Sequence, residues 1–281
     1  MNAYRRGPLI FDVVDRGPAD GTPVVLLHGF PETSASWDLV APELAAAGYR
    51  VLAPDQRGYS PRARPGGRGA YRSTELVRDV LALADSAGAG AFHVVGHDFG
   101  AAVAWVLAMR SPERLLTMTA LSVPHPAAFR RAAFSGPQGL RSWYMAFFQL
   151  PWLPEAMLTA QSWRSFERNL ERSGLPQQFA ERYVTHLREP GALTAALNWY
   201  RGLRPLADAR ATKVAVPTLL MWGTRDAYVH ETGIHLTERY MSGPYRLAVL
   251  DGVNHWIPET AAEQVVELLL PHLAAGEPAA V

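Results

Sequence analysis

Short apolar runs alternate with stretches in which apolar residues recur every three or four positions, and this alternation dominates residues 1–123. Leu9–Val14 and Pro23–Leu27 read as strands separated by the turn-like Arg16-Gly17-Pro18-Ala19-Asp20-Gly21. The second run is apolar throughout, the pattern of a strand covered on both faces. Trp37, Val40, Ala41 and Leu44 then recur at helical spacing, and Gly48 stops that helix. After a short strand at Arg50–Ala53, Leu76, Val80, Leu83 and Ala87 mark a second helix, with Ser73 as N-cap and Gly88 past its end. The strand-like Ala91–Val95, a helix over Ala101–Arg110 and the apolar run Leu115–Val123 complete the series. Such alternation predicts a mostly parallel sheet with helices on both faces.

From Pro124 to about Arg204 the alternation stops. This stretch reads as several helices rich in aromatic residues, among them Phe129, Trp143, Tyr144, Phe148, Trp163, Trp199 and Tyr200. The sheet pattern resumes at Pro217–Trp222, followed by a helix around Thr232–Tyr240 and a strand at Arg246–Leu250. The last helix is expected from Thr260, where Thr260-x-x-Glu263 has the form of a capping box, with an apolar face of Val265, Leu268, Leu269 and His272 or Leu273. Gly276–Val281 reads as a frayed tail. The expectation is an α/β fold: a core domain from residues 1–123 and 205–281, and a helical cap domain over residues 124–204 inserted between two strands.

Composition narrows the partners. At 281 residues and 48% hydrophobic, the chain can bury a sizeable core. The formal charge is only +1 and the basic residues are scattered; the densest basic run, Arg62 to Arg72, is laced with Gly and Pro and reads as a solvated loop. This argues against nucleic acid or an anionic membrane as the main partner. The absence of cysteine excludes disulfides, thiolate metal sites and a cysteine nucleophile. Met1–Gly7 is polar, and no apolar run approaches the length of a signal or membrane segment, so a cytoplasmic monomer or homodimer is expected.

The candidate chemistry gathers where those strands end. Gly96-His97-Asp98-Phe99-Gly100 lies between the Ala91–Val95 run and the following helix, the layout of a nucleophile elbow with Asp where the familiar version carries Ser. Such a pentapeptide alone is more often a turn than a nucleophile. In an open parallel sheet, however, ligands bind beyond the carboxyl ends of the strands. His28–Pro31, Gly96–Gly100, Asp226 and His255 all follow predicted strands, in the order of an α/β-hydrolase nucleophile, acid and histidine. Asp251 is a rival acid; Asp226 is preferred because Gly223-Thr224-Arg225-Asp226 directly follows a strand.

His28-Gly29-Phe30-Pro31-Glu32, Asp55-Gln56-Arg57-Gly58-Tyr59-Ser60, Gly96-His97-Asp98-Phe99-Gly100-Ala101 and Gly252-Val253-Asn254-His255-Trp256 together resemble the α/β-hydrolase-fold epoxide hydrolases. Trp143-Tyr144-Met145-Ala146-Phe147-Phe148-Gln149-Leu150-Pro151 and Leu197-Asn198-Trp199-Tyr200-Arg201 are similar to that family's two cap segments. The resemblance implies that Tyr144 and Tyr200 each supply a phenol for ring opening. It also implies a small epoxide and water as the only partners, with no metal or organic cofactor.

Elementary chemistry runs parallel to the resemblance. A carboxylate of ordinary pKa, about 3.9, is ionised at neutral pH, so Asp98 can attack an sp³ carbon without a base and form an ester. His255, with an ordinary pKa of about 6.5, suits activation of the water that cleaves this ester. Asp226 would hold its tautomer. The backbone N–H groups of Phe30 and Phe99 would form the oxyanion hole. Pro31, Phe148 and Trp256 are expected to line the substrate pocket. Among the neighbours, His97 reads as a packing and hydrogen-bonding residue, Asp55 and Arg57 as turn-fixing, His28 as ordering the oxyanion loop, and His125, between Pro124 and Pro126, as the approach to the cap.

Two alternatives stand beside this reading. A haloalkane dehalogenase would use the same nucleophile, but Phe99 and Phe30 stand where such enzymes commonly place Trp and Asn. A non-catalytic receptor or scaffold would be expected to have a broken triad, and all three candidates are present. An esterase is disfavoured by the lack of Ser at the elbow.

Overall fold

A computed structural model describes residues 1–202 and 212–277. Its strands are β1 (Ala3–Arg6), β2 (Leu9–Arg16), β3 (Pro23–Leu27), β4 (Arg50–Pro54), β5 (Phe92–His97), β6 (Leu115–Leu121), β7 (Thr218–Gly223) and β8 (Tyr245–Leu250). They form one sheet in the order β1-β2-β4-β3-β5-β6-β7-β8. β1 and β2 pair antiparallel, as do β2 and β4, and from β4 to β8 every neighbouring pair is parallel. This is the α/β-hydrolase arrangement, with helices on both faces. Every residue of β5 and β7 is buried, which is why both read as largely apolar runs; the His93 that interrupts β5 is met by the Thr117 hydroxyl at 2.8 Å.

Helices α1 (Ala41–Ala46), α2 (Ser73–Ser86) and α3 (Phe99–Arg110) follow β3, β4 and β5. Between β6 and β7 come α4 (Pro126–Ser135), α5 (Gln138–Arg141), α6 (Trp143–Phe147), α7 (Leu153–Thr159), α8 (Arg164–Arg172), α9 (Gln177–Leu187) and α10 (Ala192–Gly202). After β7 come α11 (Glu231–Leu236), then α12 (Ile257–Thr260) and α13 (Ala262–Gly276). α3 is apolar nearly all round and runs buried behind β5. No helix among the described residues is long and apolar enough to cross a membrane. The expected cap boundary at residues 204–205 and most of the expected tail lie outside the described residues.

Parallel registry decides where the site sits. Leu27 lies opposite Gly96, Gly96 opposite Ala120, Leu121 opposite Met221 and Gly223 opposite Leu250. The loops after β3, β5, β7 and β8 therefore emerge along one edge, beneath the helices inserted between β6 and β7.

Several sequence expectations are corrected. β1 falls in a stretch that reads as merely polar; it forms because Gly7, at φ +57°, turns the chain back and Tyr4 stacks on Phe11 with ring centres 4.7 Å apart. The single helix expected around Trp37–Leu44 is a 3-10 turn at Ser34–Trp37 followed by α1. Ser73 is the first residue of α2 rather than its cap. The capping box at Thr260 does not form: its hydroxyl donates to the Trp256 carbonyl within α12, and α13 starts after Ala261. The Arg62–Arg72 run is only partly solvated, because Arg64 donates to Tyr59 O and pairs with Glu189 at 2.7 Å, tying the loop after β4 to the segment that follows α9.

Candidate active site

Asp98 stands between β5 and α3 at φ +47°, a conformation that L-residues rarely adopt. The small residues around it make the bend possible. A Cβ on Gly96 would lie 2.3 Å from Gly100 O, one on Gly100 2.0 Å from Leu27 O, and one on Gly29 2.4 Å from Asp98 Cβ. The turn thus packs backbone against backbone and presses the β3 loop onto the Asp98 side chain.

That loop brings Phe30 N–H to Asp98 Oδ1 at 3.0 Å, and the Phe30–Pro31 peptide is cis. Phe99, first in α3, presents an N–H with no intrahelical acceptor. The loop is anchored from below. Gly29 N–H donates to Glu32 Oε2 at 2.7 Å, and His28 Nε2 accepts from Gln56 N–H at 3.1 Å while Gln56 Nε2 donates to His28 O. His28 therefore ties the β3 loop to the β4 loop. Arg57 does more than fix a turn: it forms a buried ion pair with Asp79 of α2 through bonds of 2.6 and 2.7 Å. Asp55 accepts from Ser34 N–H, and His125 caps α4 through Ala127 N–H.

On the other side, His255 Nδ1 lies 2.9 Å from Asp226 Oδ2, and its Nε2 lies 3.6 Å from Asp98 Oδ2. Asp226, 3% exposed, has its other oxygen held by the backbone N–H groups of Tyr228 and Val229 at 2.8 and 2.9 Å. The rival Asp251 is exposed and accepts from Thr224 Oγ1.

Burial disfavours charge on Asp98, yet the hydrogen bond and charge of His255, with His97 and Phe30 N–H, hold its carboxyl below the ordinary value of 3.8. Burial likewise disfavours a charged His255, but Asp226 first and Asp98 second hold its proton well above the ordinary imidazole range. Both shifts favour the charged form of the pair over the neutral one, a departure from the ordinary imidazole expected from sequence.

Tyr144 of α6 and Tyr200 of α10 stand above Asp98, their ring centres 6.0 Å apart. Tyr200 packs edge-on to Phe99, Phe30 and Phe148. Among the described residues neither hydroxyl donates a hydrogen bond to protein. Burial and the Asp98 charge push both phenols well above 10. Asp98, His255, Tyr144, Tyr200, Phe30, Pro31, Phe148 and Trp256 all line one cavity of about 470 Å³. Phe99 is packed behind it.

Sequence reasoning missed Tyr228, whose ring packs on His255 and Tyr144 and lines the same cavity. Its position two residues after Asp226 was the available signal. Also missed were Asn169, Arg141 and Arg172 on the cavity wall. Behind the site lies a buried group of Glu32, His97 and Glu259: His97 Nδ1 faces Glu32 Oε1 at 2.7 Å, His97 Nε2 meets His255 O, and Tyr183 donates to Glu259. No group of described residues has the make-up of a metal site.

A family profile described as alpha/beta hydrolase fold matches residues 22–262. The chain is 38% identical to AB hydrolase superfamily protein YfhM of Bacillus subtilis, with 93% of each chain covered. It is 33% identical to Epoxide hydrolase A of Mycobacterium tuberculosis, with 94% of each chain covered. The crystal structure of Epoxide Hydrolase A from Mycobacterium thermoresistibile superposes with a TM-score of 0.84 at 27% identity, over 97% of both chains.

Proposed function

Because the chain belongs to the α/β-hydrolase family, within its epoxide hydrolase branch, we propose that it opens an oxirane by attack of Asp98 and hydrolyses the resulting ester to a vicinal diol. The observation that carries this reading is the placement of Asp98 between an imidazole held by Asp226 and two phenols with no protein acceptor among the described residues, all on one cavity.

Asp98 Oδ2 attacks a ring carbon while Tyr144 and Tyr200 donate to the opening oxygen. A phenol held above 10 remains a donor at neutral pH, which an alkoxide leaving group requires. The proton inventory closes. Ring opening consumes one proton, and the resting imidazolium of His255 carries one. Once Asp98 is a neutral ester, its share in holding that proton is gone, and neutral His255 becomes the base for water. Water adds to the ester carbon, its oxyanion facing the N–H groups of Phe30 and Phe99, and collapse releases the diol with the proton back on His255. Asp226 keeps the Nδ1–H tautomer throughout.

Two indoles pack against this site, Trp199 on Phe99 and Trp256 on His255, and both N–H groups are engaged elsewhere, with Arg57 O and Ser173 Oγ. They are not available to hold a halide, which favours an oxirane as the electrophile. On this reading the helices α4–α10 form the cap domain, and the protein acts in the cytoplasm without a metal or organic cofactor.

The test is His255→Gln. Mixed with an epoxide, the variant accumulates a covalent adduct of substrate mass on Asp98, seen by intact-protein and peptide mass spectrometry. Steady turnover near the wild-type rate with no adduct refutes the ester route.

A further inference from the structure

Proton transfer at His255 demands a fixed imidazole, yet a single short hydrogen bond holds the ring. Nδ1 lies 2.9 Å from Asp226 Oδ2, while Nε2 lies 3.6 Å from Asp98 Oδ2. A ring anchored at Cβ and Nδ1 can still rock about the line joining those atoms, and Nε2, which takes the proton from water, lies off that line. Once Asp98 becomes a neutral ester, its electrostatic pull on Nε2 is gone as well. Packing against the ring must then keep Nε2 in place.

Three rings supply that packing. His97, with ring centres 5.0 Å apart, lies behind the site and is held by Glu32 and the His255 carbonyl. Trp256, at 5.3 Å, is tied to Ser173. Tyr228 is nearest, at 4.8 Å with the planes 66° apart, and it lines the cavity, where its ring also meets Tyr144 at 6.0 Å. Its backbone is fixed on both sides. Tyr228 N–H donates to Asp226 Oδ1 at 2.8 Å, and its carbonyl accepts from Gln138 Nε2 at 2.9 Å. The next two residues are bonded too, Val229 N–H to Asp226 Oδ1 and His230 N–H to Gln138 Oε1. The Tyr228 hydroxyl, by contrast, makes no hydrogen bond among the described residues, so the ring is the part that meets His255.

We propose that Tyr228 is a positioning residue of the hydrolytic step: its ring braces the His255 imidazole so that Nε2 stays directed at the Asp98 ester while water is activated. Asp226 is the common root of base and brace. One of its oxygens orients His255 Nδ1, and the other anchors the backbone from which the Tyr228 ring reaches back to the same imidazole. A misplacement of about 1 Å in such a site costs about 100-fold in rate. This rests on the epoxide hydrolase reading above.

A single turnover of styrene oxide, quenched at intervals and followed by intact-protein mass spectrometry, resolves formation of the Asp98 adduct from its breakdown. Tyr228→Leu and the longer Tyr228→Met each remove the ring but keep an apolar wall, and either one that folds suffices. Both should form adduct within about twofold of the wild-type rate and hydrolyse it at least about tenfold more slowly. Tyr228→Phe keeps the ring and should match the wild type in both steps. Adduct breakdown at the wild-type rate in the Leu and Met variants overturns the brace. So does an equal loss in both steps, which would make the ring a wall for substrate, or slow breakdown in Tyr228→Phe, which would shift the role to the hydroxyl. A wild type that forms neither adduct nor diol would instead overturn the epoxide hydrolase reading beneath it.

Discussion

Replacing Asp226 by Asn separates what this residue does for folding from what it does for chemistry. The native carboxylate accepts three hydrogen bonds, two on Oδ1 from Tyr228 and Val229 N–H and one on Oδ2 from His255 Nδ1. Asn keeps an oxygen for the two amides but turns an NH₂ group toward His255, which forces Nδ1 to accept and moves the ring proton to Nε2. That nitrogen faces Asp98 and the attacking water. A wrong tautomer of this kind costs about 10³–10⁴-fold in a triad, or about 4–5.5 kcal/mol of barrier. The folding cost should be smaller, about 1.5–3 kcal/mol for one charge-assisted hydrogen bond. Asp226→Ala, by contrast, strands two buried amides at about 1–3 kcal/mol each and should lose about 2–6 kcal/mol of stability. Urea unfolding, steady-state turnover and mass spectrometry of the rapidly mixed enzyme read the three quantities. Asp226→Asn should stay folded, still form adduct and hydrolyse it far more slowly. Turnover within about tenfold of wild type would refute the tautomer argument, as would an equal loss from Asp251→Asn, whose carboxylate bonds to Thr224 at the surface.

Tyr144→Phe or Tyr200→Phe alone should lower kcat/KM for an epoxide by about 10²–10³-fold, and the double variant should be inactive; a double variant at the wild-type rate would make both rings structural. Because burial and Asp98 hold both phenols above 10, their protonation should add no decline to kcat/KM between pH 7 and 9, and a fall there that disappears in the Phe variants contradicts the assignment. Glu259 offers a stability test. Burial and the neighbouring Glu32 raise its carboxyl from 4.5 to about 8, above its unfolded value, so its contribution is complete below pH 4.5 and is lost as the pH rises toward 8. Urea stability should fall across pH 5–8 by up to about 1.4 kcal/mol per unit, and Glu259→Gln should flatten that slope; parallel slopes would refute the assignment.

The parts of the fold that depend on continuous burial were readable from the chain. β3, β5 and β7 are covered on both faces, so their sequences are apolar apart from His93 and His97 in β5 and Thr218 in β7. β1 was not readable, because an edge strand with one buried side chain, Tyr4, has almost no pattern to display. Local signals failed where another nearby partner competed. Thr260 has the spacing of a capping residue, yet its hydroxyl finds the Trp256 carbonyl and Asn254 instead. At the site, residues on strand ends were legible because the turn chemistry around Asp98 and Asp226 demands particular neighbours. Tyr228, Arg141, Asn169 and Arg172 were not, since they reach the cavity through the way α5 and α8 settle and through a backbone-bonded loop. Glu259 was hidden for the same reason: its carboxyl meets Tyr183 from a helix far away in sequence.

The bond from Phe30 N–H to Asp98 Oδ1 has a consequence for the history of individual atoms. With Gly29 pressed against Asp98 Cβ and Oδ1, the carboxylate has little freedom to turn over, so the two oxygens keep separate identities. On the ester route, Oδ2 leaves with every diol and solvent refills its place, whereas Oδ1 stays behind in the grip of the loop. After thousands of cycles the nucleophile would still hold one oxygen laid down at its synthesis, beside another no older than the last molecule it processed.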